Sequence, residues 1–92
     1  MTKLTKTLNI TNKRGLHARA SSKFAVTANE YPDANIIVSK DGEEVSGYSI
    51  MDLMMLAAGI GSSIEVSAEG DTAEAALNAL EELVNDKFGE GE

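Results

Sequence analysis

The chain has no cysteine, one histidine, one proline, and no acidic residue in its first 29 positions. Without cysteine there is no disulfide framework and no thiolate metal site, so packing alone must hold the fold. A single histidine with no acid before Glu30 also lacks a local set of metal ligands. Long hydrophobic runs are missing too. The longest apolar stretch, IMDLMMLAAGIG, spans 12 residues with an aspartate inside it, too short and too polar to cross a bilayer. The amino end, MTKLTKTLNITNKRG, alternates polar and apolar residues and so is not the continuous apolar core of a signal peptide. These absences point to a soluble cytoplasmic protein. Its 92 residues make one domain, near the small end of what supports its own core.

The net charge of -7 is unevenly spread. Six Lys or Arg residues lie between Met1 and Asn29, whereas all 15 acids lie from Glu30 onward with only two lysines among them. A nucleic acid would meet repulsion from that long acidic remainder. A small basic patch on an acidic body suits one phosphoryl group or an acidic protein surface better.

Leu4, Leu8 and Ile10 share one parity, against Thr5, Thr7 and Asn9, which predicts a half-buried strand. Asn12 to Gly15 reads as a turn. From Ala18 the period changes: Ala20, Phe24 and Ala28 recur every four residues, with Ala25 widening the face, so a helix runs to about Asn29. Pro32 follows and ends it. Ala34 to Ser39 predicts a strand, Lys40-Asp41-Gly42 a hairpin turn, and Glu43 to Ser46 the returning strand. Ser49 to about Leu56 predicts a short helix, and Ser62 to Ala68 a strand with Ile64 and Val66 inward. Asp71 to Lys87 predicts the longest helix, capped by Asp71 with Glu74, its stripe running from Ala73 through Val84 to Phe88. The order is βαββαβα. An α/β (α+β) open-faced sandwich follows, with helices over one sheet face and the other face wet. Residues 1–88 form the domain, and 89–92 (GEGE) are expected to be a flexible acidic tail.

The single histidine, His17, stands immediately before the first helix. The free N–H groups of that helix's first turn, beginning at Ala18, and the positive end of its dipole favour an anion there. Arg19 and Arg14 flank it, and a guanidinium braces phosphoryl oxygens with paired donors. His17 is thus either a plain surface cap or a nucleophile that carries phosphate. No acid nearby is expected to orient it, as a small hydrolase would require. Gly59-Ile60-Gly61 lacks the following Gly-Lys-Ser/Thr of a nucleotide loop. No cofactor or metal is implied.

GLHARASSKF resembles the active-site motif of the HPr family, the histidine-containing phosphocarriers of the phosphoenolpyruvate-dependent phosphotransferase system. The resemblance continues through SGYSIMDLMMLAAGIGSSIEVSAEG and the final helix. It implies a four-stranded antiparallel sheet in the order 1-4-2-3 under three helices. It also implies a carrier rather than an enzyme: His17 accepts phosphate on Nδ1 from enzyme I and passes it to an EIIA protein or domain. Arg19 matches the arginine that steadies the phosphate, and Gly15 the glycine of the preceding turn. The site is therefore His17 with Arg19, Arg14, Gly15 and Ala18. Ala20 stands where the family usually has proline, which leaves one more N–H and a looser chain at the helix start. His-Ala-Arg-Ala-Ser resembles a branch from some Gram-negative bacteria, in which regulation is as common a role as sugar uptake.

Ser49, in Ser-Ile-Met-Asp, is a helix cap by its own pattern, with Asp52 closing the box. The resemblance adds a second role, since Ser49 matches the serine modified by HPr kinase/phosphorylase. Met51, Met54 and Met55 lie in the same short helix, and at least one is expected in the core. Ile50, Met51 and Met54 match the family's docking patch, and Ala20 and Lys23 are expected beside it. Adaptable thioether chains suit several partners. The chain is expected to act as a monomer, either in transport or as a regulatory module whose contacts depend on phosphorylation of His17 or Ser49.

Overall fold

Alternation at the amino end becomes a strand, β1 (Lys3–Asn9), whose apolar parity faces inward with Leu8 buried. The computed structural model describes residues 3–90. Across them the chain continues through α1 (Ala18–Ala28), β2 (Ile37–Lys40), β3 (Glu43–Ser46), α2 (Ile50–Met55), β4 (Ser63–Glu69) and α3 (Ala73–Asn85), then a 3-10 turn at Lys87–Gly89. The four strands form one antiparallel sheet in the order β1-β4-β2-β3. β4 is central: Leu8 pairs with Ile64 on one side of it, and Val38 with Val66 on the other. The β2–β3 hairpin closes through Asp41 and Gly42, both at positive φ (53° and 86°), the two-residue turn that matches strand twist.

All three helices cover one face of the sheet. Phe24 from α1, Leu53 from α2, and Leu77, Leu80 and Val84 from α3 meet Val38, Ile64 and Val66, every one of them buried. Each such side chain contributes about 1.5–3 kcal/mol relative to an exposed one. Thr5, Ser39 and Glu65 line the opposite, open face. This is the open-faced sandwich that the element order predicts.

Four local expectations change. β2 begins at Ile37 rather than Ala34, because Asn35 takes φ 49° and interrupts the extended chain. Thr72, not Asp71, occupies the cap position of α3, and its side chain makes no capping bond. α3 ends at Asn85. Lys87 and Phe88 then enter the left-handed region (φ 54° and 55°) and reverse the chain, yet the Phe88 ring is still fully buried. That backbone costs about 1–2 kcal/mol per residue for a side chain with a Cβ, an expense comparable to the gain from burying the ring. Finally, the expected tail does not start free at residue 89. The reversal carries Glu90 back to the start of α1, where Asn12 and His17 bond its carboxylate. Residues 91 and 92 lie outside the described residues.

Candidate functional site

His17 occupies the N-cap position of α1 with extended backbone (φ −74°, ψ −177°), and its ring makes no capping bond. The first-turn N–H groups of Ala18, Arg19 and Ala20 therefore have no intrahelical acceptor. The backbone before His17 is fixed by glycine. Gly15 has φ 64°, and a Cβ there would lie 2.3 Å from the Ala58 carbonyl oxygen and 2.7 Å from Gly59 Cα. That close approach lets Leu16 N–H donate to Ala58 O at 2.9 Å, while the buried Ser21 hydroxyl donates to Leu16 O at 3.0 Å. The histidine thus hangs from a loop braced on both sides.

The ring's Nε2 meets a carboxylate oxygen of Glu90, and the other oxygen accepts from Asn12 Nδ2 at 3.0 Å. Asn12 is fully buried and its Nδ2 also donates to Gly15 O at 2.8 Å. Among the described residues Nδ1 of His17 has no hydrogen-bond partner. Burial pushes the Glu90 carboxyl up, but the hydrogen bonds from His17 and Asn12, with the positive charges of His17 and Arg14, outweigh it. Its pKa consequently lies below the ordinary value of 4.5. Sequence reasoning missed Glu90, Asn12 and Ser21, and its expectation that no acid orients His17 is corrected by Glu90. The signal available was charge: an acidic end facing an acid-free, basic beginning.

Glu90 and Gly89 share a shallow depression with Lys13, Arg14 and Arg19. Both arginines are exposed, and among the described residues neither forms an ion pair. Ala18, also exposed, opens α1 beside them. His17 is joined to this depression through Glu90, with Gly15 and Ala18 on either side of it in the chain, and the exposed side chains of Arg14 and Arg19 line the same depression. No cluster of groups suited to a metal ion occurs among the described residues.

Ser49 caps α2 as its pattern predicts, accepting from Asp52 N–H at 3.2 Å, although no reciprocal bond from the Asp52 carboxylate is found among the described residues. Next to it stand Ile50, Met51 and Met54, 40%, 68% and 39% exposed. Met55 is exposed as well, so none of the three methionines enters the core as expected, and Leu53 alone fills that role for α2. Ala20 does not belong to a docking surface. It is fully buried, because its four-residue spacing with Phe24 and Ala28 puts it on the core face of α1. Lys23 is exposed, but its ammonium is tied to Phe88 O at 2.6 Å.

Comparison with known proteins agrees with this geometry. Residues 4–86 match the family model described as the PTS HPr component phosphorylation site. The chain is similar to the phosphocarrier protein HPr of Neisseria meningitidis, at 47% identity over 97% of this chain and 99% of the relative. HPr of Pseudomonas aeruginosa is 49% identical over 92% and 94% of the two chains. Among solved structures, HPr of Thermoanaerobacter tengcongensis superimposes with a TM-score of 0.88 at 42% identity, covering 98% of each chain.

Proposed function

Because the chain belongs to the HPr family, and is a phosphocarrier of the phosphotransferase system rather than an enzyme, we propose that His17 carries the phosphoryl group on Nδ1. The observation that supports this most is Nδ1, without a hydrogen-bond partner among the described residues, on a histidine whose other nitrogen is engaged by Glu90, at an uncapped helix start next to the depression that Glu90 shares with Lys13, Arg14 and Arg19. Nδ1 attacks phosphorus, the N–P bond forms, and the bond to the donor breaks with its electron pair remaining on the donor. The phosphoryl oxygens then find the N–H groups of the first turn of α1 and the guanidinium of Arg19, with Arg14 as a second brace. An anion at a helix start gains about 0.3–1 kcal/mol from the dipole alone. Passing the group onward reverses the same step.

Enzyme I delivers the phosphoryl group and an EIIA protein or domain removes it, both in the cytoplasm and both docking on Ile50, Met51 and Met54. Exposed Met55 lies in the same short helix, and adaptable side chains let one surface serve two partners. The chain works as a monomer: the site as read, His17 with Glu90 and the neighbouring cations, needs no residue from a second copy. Ser49, half-buried between its cap bond and the patch, is the position where phosphorylation changes partner choice, as a regulatory use of the protein requires.

Incubation with phosphoenolpyruvate and enzyme I, read by intact mass before and after acid, tests the central assignment. Wild type gains one acid-labile phosphate. His17→Ala gains none and unfolds within ~1 kcal/mol of wild type, as a cap position allows. Acid-labile phosphate on that variant would overturn the assignment.

A further inference from the structure

Two side chains outside the expected site touch it. Glu90 presents one carboxylate oxygen to Nε2 of His17 and the other to Asn12 Nδ2. Asn12 Nδ2 donates at the same time to Gly15 O, two residues before the histidine. Both partners of that nitrogen are acceptors, so the amide orientation is not ambiguous. The remaining amide oxygen is buried without a partner among the described residues. A buried acceptor left unbonded is a loss. The asparagine is thus held by what its nitrogen links, not by what its oxygen gains.

We propose that Asn12 and Glu90 are positioning residues for phosphoryl transfer: Asn12 anchors the Glu90 carboxylate, and the carboxylate fixes the His17 proton on Nε2, leaving the Nδ1 lone pair as the single nucleophile. This rests on His17 being the phosphoryl acceptor. In a neutral imidazole one nitrogen carries the proton, and the partner of the other decides which. A carboxylate accepts only, so the nitrogen facing Glu90 is the one that holds hydrogen. When Nδ1 bonds phosphorus while Nε2 keeps its proton, the ring becomes cationic. The carboxylate stabilises that charge as it develops, which accelerates acceptance from the donor. Lys13, Arg14 and Arg19 around the depression counter the repulsion between the carboxylate and the incoming group.

The test compares wild type, Glu90→Ala, Glu90→Gln and Asn12→Ala in the full chain. Nitrogen-15 spectra of the unphosphorylated His17 ring report the tautomer, initial rates with enzyme I and phosphoenolpyruvate give kcat and KM for the carrier, and phosphorus spectra report the linked nitrogen. Wild type is expected to show one tautomer, Nε2–H, with phosphate on Nδ1. Glu90→Ala should mix the tautomers and lower kcat about tenfold with KM within about twofold, the pattern of an interaction made in the transition state. Glu90→Gln keeps an oxygen acceptor for Nε2–H and should recover the tautomer and part of the rate, while Asn12→Ala should fall between wild type and Glu90→Ala. Because Asn12 is buried, its variant is read beside Glu90→Ala, which leaves Asn12 in place. A single Nε2–H tautomer and unchanged kcat in Glu90→Ala would overturn the proposal. Absence of phosphate from His17 in wild type would instead overturn the assignment beneath it, and the tautomer spectra would still decide the role of Glu90.

Discussion

The ammonium of Lys23 donates to the carbonyl oxygen of Phe88 at 2.6 Å, joining the middle of α1 to the turn that follows α3. The bond satisfies a carbonyl in the strained left-handed stretch and keeps Glu90 within reach of His17. Lys23→Ala should lower stability by about 1 kcal/mol, within the range for a charged hydrogen bond at the surface. Urea titration should show a lower midpoint with an unchanged slope. Equal midpoints would mean that the buried Phe88 ring alone holds the turn.

Gly15→Ala should be far more damaging than its surface loop position suggests. The added methyl would have to enter space held by the Ala58 carbonyl oxygen, at a φ of 64° that alanine disfavours. We expect a loss of about 2–4 kcal/mol and a displaced His17 loop, from strain and overpacking together. Denaturant titration and the amide protection of Leu16, which bonds Ala58, check the two parts separately.

Arg19→Ala should slow phosphoryl passage about tenfold, about 1.4 kcal/mol of transition-state stabilisation, while leaving the unfolding midpoint unchanged. The side chain is exposed and forms no ion pair among the described residues, so little stability depends on it. Rates to an EIIA acceptor within about twofold of wild type would reduce the guanidinium to surface charge.

Much of this site is legible in local sequence because its parts are local. The switch from period 2 to period 4 around residues 12–18 places a helix start, and the one histidine falls on its cap. The hairpin at Asp41-Gly42 and the Ser49 cap are equally short-range and were readable for the same reason. Glu90 was not, because 73 residues separate it from His17 and its approach depends on a chain reversal. The apolar stripe does reach Phe88, but periodicity describes which side a residue faces and not that Lys87 and Phe88 leave the helical backbone. The methionines misled for a related reason: a helix of six residues offers the core only one position, and Leu53 takes it.

Ser49→Asp should weaken binding to enzyme I without altering His17. A carboxylate at the cap still accepts from Asp52 N–H, so α2 persists. The new charge sits beside Ile50 and Met51, on the face expected to meet an acidic partner surface. Rim charges act mainly on encounter rate and fade with salt. Titrations at low and high ionic strength should therefore converge as salt rises. Equal affinity of wild type and variant at low salt would leave Ser49 as a cap only.

Acid should loosen the Glu90 contact in a defined window. Its pKa is lower in the folded chain than the ordinary 4.5, so its contribution is complete above that value and is lost as pH falls through the lower, folded-state pKa. The stability gap between wild type and Glu90→Gln should be fully present just above the ordinary 4.5 and should narrow as pH falls below it. Urea titrations of both proteins across that range measure it, and a gap that persisted undiminished at about pH 3 would show that the contribution of Glu90 does not come from its ionised carboxylate.

The central place of β4 has a kinetic meaning. Lys3 pairs with Glu69 and Asn9 with Ser63, so β1 has no partner until nearly the whole intervening chain has been gathered in. The histidine loop waits on the same segment, since Ile10 N–H bonds Ser62 O and Leu16 N–H bonds Ala58 O just ahead of β4. Contacts this distant in sequence slow folding and make it cooperative. During refolding the site should appear together with the sheet, not before it. A half-folded molecule then has no place to hold a phosphoryl group, and the carrier pool that partners encounter is made of finished molecules alone.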